Sequence, residues 1–120
     1  MDARSQGGRH MERIAFTYRF KPGKKEEYIQ AHRALWPSQH EALKRSGVRR
    51  MVVFARGEQL FLFADVDDRQ EYLRRSATDP DYQRWAEYMA TMLDQPFDAA
   101  EPGIFAELEE IWYWTPQAAD

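Results

Sequence analysis

From Ile14 to Phe20 the chain alternates, with Ile14, Phe16, Tyr18 and Phe20 on one parity and Arg13, Ala15, Thr17 and Arg19 on the other. That period of two predicts a half-buried first strand. Lys21-Pro22-Gly23 breaks it, and Pro22 suits a position at or just before a helix start. The next stretch predicts a helix from about Lys24 to Ser46, interrupted at Pro37, whose ring nitrogen cannot donate to the helical ladder. Gly47 is a natural C-terminal cap. Val48–Ala55 and Leu60–Asp65 are short apolar runs separated by Arg56-Gly57-Glu58, the pattern of a hairpin. Asp67, Asp68, Gln70 and Glu71 supply a cap and early acidic charge for a helix over about Asp68–Ser76. Thr78-Asp79-Pro80 restarts it, and Tyr82, Trp85, Met89 and Met92 then recur at three- and four-residue spacing, an amphipathic stripe. Gln95–Gly103 reads as a surface loop held down by Phe97, and Ile104–Trp114 as a last strand. In that last run Ile104, Ala106, Leu108, Trp112 and Trp114 share one side, with Phe105, Ile111 and Tyr113 on the other. Two apolar sides predict a central strand or a buried subunit contact.

The order strand, helix, strand, strand, helix, strand predicts an α+β domain of the ferredoxin-like βαββαβ kind, a four-stranded antiparallel sheet with the helices on one face. The other face needs a cover. Pairing two sheets into a dimeric α/β barrel is the economical one, so a homodimer is expected. The domain spans 11–116, followed by a tail at 117–120. Residues 1–10, with Gly7-Gly8 and no periodicity, read as a disordered leader or an expression-vector scar, Met11 being the natural start.

At 120 residues the chain has room for one domain with a real core. A net charge of −3 with interspersed signs offers no basic block to track a phosphate backbone, which disfavours nucleic-acid binding. Without cysteine there is no disulfide framework, thiolate metal site or cysteine nucleophile. No apolar run approaches the roughly 18 residues of a membrane span, and no signal-like segment precedes the domain. A cytoplasmic protein is expected. Aromatic residues form 14% of the chain, four of them tryptophan, and suit a core, a subunit interface or the apolar face of a sugar.

Candidate chemistry concentrates in Glu27–Pro37. Tyr28, His32 and Trp36 are four apart and so share one helical face, with Ile29 and Leu35 beside it. An imidazole between aromatics, next to a forced helix break, can exchange protons with a ligand near neutral pH. The ordinary alternative is a hydrogen-bonded histidine in a core, and spacing alone favours it. His32 and His40 lie two turns apart, too far to share an ion on a straight helix, and no other cluster has metal-ligand spacing. No GxSxG elbow or phosphate-cradling glycine loop is present. Glu107, Glu109 and Glu110 could offer a carboxylate to a site on the sheet, or pair with Arg13 or Arg19.

Ala15-Phe16, Glu26-Glu27-Tyr28, His32, Trp36-Pro37, and later Gln83-Arg84-Trp85 with Tyr88-Met89 together resemble the L-rhamnose mutarotases. The resemblance covers most of Met11 to Tyr113, and its most specific part is the Tyr-x3-His-x3-Trp-Pro spacing. It implies a dimeric, ferredoxin-like protein that interconverts the α and β anomers of a 6-deoxy sugar without a cofactor or metal. The family's catalytic histidine falls on His32, and sugar-binding side chains on Tyr28 and Trp85. The chain departs from the family at Met51, usually tyrosine, at Ala86, usually a second tryptophan, and at Ser38, usually glutamate. These departures bear on the sugar more than on the reaction. An L-fucose mutarotase is one alternative. A dimeric-barrel monooxygenase or haem-degrading enzyme and a non-catalytic binding dimer are the others.

Overall fold

A computed structural model describes residues 11–94 and 107–119. The leader at 1–10 and the loop from Gln95 to Gly103 are expectations that fall outside the described residues. Strand β1 (Glu12–Arg19) is followed by helices α1 (Lys25–Arg33) and α2 (Pro37–Arg45). Strands β2 (Val48–Arg56) and β3 (Gln59–Val66), then α3 (Arg69–Thr78) and α4 (Pro80–Ala90), complete the body. The sheet has the order β1-β3-β2 and is antiparallel throughout. Gly57, at φ +60°, makes the tight turn between β2 and β3 in a conformation that other residues rarely adopt.

The proline interruption is present as expected. Trp36 is extended (φ −62°, ψ 134°), as the residue before a proline prefers, and caps α2 while Pro37 opens it. One long amphipathic stretch thereby becomes two short helices, and α1 ends four residues before α2 begins.

The register places Tyr18 opposite Leu60, Phe16 opposite Leu62 and Ile14 opposite Ala64, with Val53 and Met51 continuing the last two rows on β2. These side chains face the helices. Two clusters of buried residues fill the layer between. Phe20, Tyr28, Leu60, Trp85, Met89 and Met92 form one, and Ile14, Phe16, Ala64, Val66 and Tyr72 the other. Tyr18 and Leu62 touch both. After α4 the chain returns to the end of β1, where Phe20 pairs with Leu93 and the Asp94 N–H donates to the Arg19 carbonyl at 2.7 Å.

Among the described residues the expected fourth strand is not formed. Ile104–Ala106 lie outside the described residues, and of the remainder only Glu107 bridges to Phe16, with the Leu108 N–H donating to the Ala15 carbonyl at 2.7 Å. Beyond that contact the segment runs free of the ladder. Glu110 and Tyr113 hold Arg13 by an ion pair at 2.9 Å and a ring contact at 3.7 Å, while Ile111 is 85% and Trp112 79% exposed. Alternation measured how much apolar surface this run must bury. It could not show that Ile111, Trp112 and Trp114 would remain exposed.

Asp79 carries much of the helical layer. Its carboxylate accepts from the Asp81 and Tyr82 N–H groups, capping α4, and from Arg45 of α2 at 2.8 Å. Chiefly the Arg45 hydrogen bond, helped by the capped amides, holds its pKa at about 2, below the ordinary 3.8. A lowered carboxylate contributes stability above pH 3.8 and loses that contribution as pH falls towards 2. Asp79→Ala is expected to cost about 1–2 kcal/mol in urea unfolding at pH 7. The cost should shrink as pH falls from 4 to 2; a cost independent of pH would contradict this role.

Candidate active site

His32 lies in the last turn of α1, where Glu26 and Glu27 open the helix and His32 and Arg33 close it, the charge order that the helix dipole favours. Its Nδ1 sits 2.9 Å from the Tyr28 carbonyl one turn back. A carbonyl can only accept, so Nδ1 carries the proton. In the neutral ring Nε2 is then the nitrogen with the lone pair, and it has no protein partner among the described residues. Burial lowers the histidine pKa from its ordinary 6.5, opposed by the bond to Tyr28. The imidazole is therefore neutral at pH 7.

Aromatic rings enclose it. Tyr28 lies 4.3 Å from the imidazole between ring centroids, tilted by 33°, and Trp85 of α4 meets it edge-on at 5.3 Å. Both flanking residues are buried, which fixes the rings and hence the imidazole between them. Phe20 supports Tyr28 from the end of β1 at 5.3 Å. Burial also pushes the Tyr28 phenol well above its ordinary pKa of 10, so it remains a neutral hydroxyl.

Of the residues expected at the site, His32, Tyr28 and Trp85 come together. Trp36 shares a helical face with Tyr28 and His32 only on an unbroken helix. The break at Pro37 sends it instead onto α4, stacked on Tyr88 at 5.2 Å and edge-on to Trp85 at 5.1 Å. It stands behind the tryptophan rather than against the histidine.

The last-segment carboxylates go elsewhere. Glu107 is held by Arg69 at 2.6 Å and Glu110 by Arg13 at 2.9 Å. Together with Phe63, Trp112 and Tyr113 they line a groove of about 640 Å³, and Arg13, Ala15 and Phe63 place it on the side of the sheet away from the helices. His32 does not line it. Among the described residues no three histidine, aspartate or glutamate side chains are grouped as metal ligands.

One feature of the site layer escapes periodicity. Tyr72 and Tyr82 touch hydroxyl to hydroxyl, and Tyr18 lies close to them and to Tyr28 on the sheet side. Tyr18 and Tyr82 were expected only as members of apolar stripes. The signal was available in the residue type, tyrosine rather than phenylalanine at positions predicted to be covered.

Among the described residues, a three-stranded antiparallel sheet backed by helices, with a histidine held between two buried aromatics, defines a small α+β protein. The comparisons narrow that class. The L-rhamnose mutarotase family model matches residues 13–114, and the chain belongs to that family. It is 32% identical over 105 residues to an L-rhamnose mutarotase of Listeria monocytogenes, covering 86% of this chain and 98% of the relative. The corresponding protein of Bacillus subtilis is 31% identical over the same shares. The crystal structure of an L-rhamnose mutarotase from Formosa agariphila superposes with a TM-score of 0.68 at 27% identity, covering 87% of this chain and 99% of that one. A tetracenomycin F2 cyclase from Streptomyces glaucescens shares the fold, with a TM-score of 0.59 at 22% identity over 87% of this chain and 97% of that one.

Proposed function

We propose that this protein interconverts the α and β anomers of a 6-deoxyhexose, L-rhamnose, with His32 as the general acid–base and with Tyr28 and Trp85 contacting the sugar. The observation that carries the reading is the tethered imidazole. Its Nδ1 is committed to the Tyr28 carbonyl, which leaves Nε2, at a fixed orientation, as the nitrogen able to act as a base towards a guest. The family membership supplies the substrate.

In the proposed reaction Nε2 takes the proton of the anomeric hydroxyl while the ring oxygen gains one. The C1–O5 bond breaks to give the open aldehyde, and the C1–C2 bond turns. The hydroxyl then re-adds to the other face of the carbonyl, and His32 returns its proton to the new anomeric oxygen. Glu107, Glu109 and Glu110 all line the groove that His32 does not reach, which leaves water as the second proton carrier. Trp85 offers an apolar wall for the sugar's methyl-bearing face, and the neutral Tyr28 phenol offers a hydrogen bond.

A second copy of the chain completes the proposed assembly. Val52, Phe54 and Phe63 are exposed on the helix-free face of the sheet, Phe54 against Phe63 at 5.9 Å, and Ile111, Trp112 and Trp114 are exposed on the arm beside it. Exposed apolar side chains gathered in this way mark a surface for contact with another protein. Two such faces meeting about a two-fold axis, each with an arm to pair with the other, would yield the four-stranded sheets of a dimeric α/β barrel.

Saturation-transfer NMR between the two anomeric protons of L-rhamnose tests the activity. The protein should accelerate exchange, and His32→Ala should lose at least about 100-fold while keeping its melting temperature. Because the catalytic imidazole must be neutral and its pKa is lowered, the rate should hold as pH falls to 6.5 and decline only below it. No acceleration by a folded wild type, or an undiminished rate in His32→Ala, would overturn the assignment. For the assembly, sedimentation should give a dimer, and the pair of substitutions Phe54→Asp and Trp112→Asp a monomer. A monomeric wild type would contradict it.

A further inference from the structure

Among the described residues Trp36 makes no ring contact with His32, yet its indole lies against the wall on which the imidazole rests. The Trp85 ring meets three others, all edge-on: His32 at 5.3 Å and 78°, Trp36 at 5.1 Å and 84°, and Tyr88 at 5.8 Å and 79°. Trp36 and Tyr88 are only 6° from parallel, with 5.2 Å between ring centroids, so they form one slab across the Trp85 indole. Tyr88 stands three residues beyond Trp85 on α4, and a neighbour on the same helix cannot fix how that helix lies against α1. Trp36 comes from the junction of α1 and α2 and can.

The backbone of Trp36 is pinned independently of this packing. It is extended before Pro37, and its carbonyl accepts from the Gln39 N–H at 2.9 Å and the His40 N–H at 3.0 Å in the first turn of α2. Only Arg33, Ala34 and Leu35 separate it from His32, so one short segment carries both the imidazole and the brace. Trp36 and Tyr88 are half-buried whereas Trp85 is buried, so the pair is part of what shields that indole from water. The two groups packed on the imidazole, Tyr28 from its own helix and Trp85 from α4, carry no charge at neutral pH. Hydration of the ring and its bond to the Tyr28 carbonyl are what remain to set its basicity.

We infer that Trp36 is a positioning residue for the proposed reaction: stacked on Tyr88, it holds the Trp85 indole edge-on against His32, which keeps that side of the imidazole dry and the wall for the sugar in place. The inference rests on the mutarotase reading for the reaction it serves. Without the slab, Trp85 can turn and water can approach the ring. His32 then titrates nearer its ordinary 6.5, up from the lowered value that burial imposes. The base must be neutral, so the acid limb of the kcat/KM profile, which reports the free protein, moves up in pH with it. The deficit against wild type therefore grows as pH falls from 8 to 6.

The experiment compares the full-length wild type with Trp36→Leu, Trp36→Phe and Tyr88→Leu. The His32 ring resonances are titrated by NMR in the free protein, saturation transfer supplies kcat and KM for L-rhamnose across the same pH range, and a thermal melt reports stability. An aromatic pair corresponds to roughly a 2- to 12-fold effect. In Trp36→Leu, kcat/KM at pH 8 should fall by about that factor, mostly through KM, and both the His32 titration and the acid limb should move towards 6.5. Trp36→Phe, whose ring can still stack on Tyr88, should recover most of both. Tyr88→Leu leaves Trp36 without its stacking partner and should shift the titration in the same direction, which decides the matter if Trp36→Leu does not fold. A lower melting temperature with the His32 titration and the acid limb unmoved would reduce Trp36 to core packing and overturn the inference, leaving the mutarotase reading intact. A wild type that leaves the anomers unexchanged would overturn the mutarotase reading, and the ring titration would still decide whether Trp36 governs His32.

Discussion

The hydrogen bond from His32 Nδ1 to the Tyr28 carbonyl governs what this site can do. It fixes the tautomer, aims Nε2 away from the helix that carries it, and restrains a ring that would otherwise rotate. Its geometry is local, because residues four apart on a helix stand one above the other. Its value is tertiary. Only when Trp85 arrives from α4 and Phe20 backs Tyr28 is the imidazole drawn into surroundings dry enough to lower its pKa and keep it neutral. Much of the fold can be read as the means of bringing those elements together. Asp79 ties α4 to α2 through Arg45, Pro37 turns the chain so that Trp36 can brace Trp85, and the pairing of Phe20 with Leu93 anchors the exit of α4 to β1.

The parts of this arrangement that were legible in the sequence depend on short-range chemistry. Pro37 marked the helix break, Asp68 and Asp79 marked caps, and Gly57 marked the hairpin turn, because each states a backbone requirement within a few residues. Tyr28 and His32 were legible as neighbours for the same reason. Trp85 was placed at the site by family resemblance alone, since no spacing relates α4 to α1. Trp36 was misplaced by expecting the helix to run up to the proline, whereas α1 ends at Arg33 and Trp36 is already extended. Tyr18 packs against both core clusters, on the side that the alternation assigned it.

The last segment shows the complementary limit. From Ile104 onwards the pattern has two apolar sides, and a strand enclosed by neighbours was the natural reading. Among the described residues of this segment only Glu107 and Leu108 join the backbone of β1, and the tryptophans beyond remain exposed. A chain-level pattern counts surface to be buried without regard to which molecule buries it. The open sheet face carries the same message in Phe54 and Phe63, and the proposed pairing of two copies would meet both requirements at once.

The most direct test of the tethered imidazole is the pair of ring ¹⁵N resonances of His32, recorded at pH 7 with and without L-rhamnose. The proposed geometry predicts a protonated Nδ1 in both samples and a shift confined largely to Nε2 when the sugar binds. A free protein with the proton on Nε2, or a sugar that binds without moving the Nε2 resonance, would contradict the role assigned to His32.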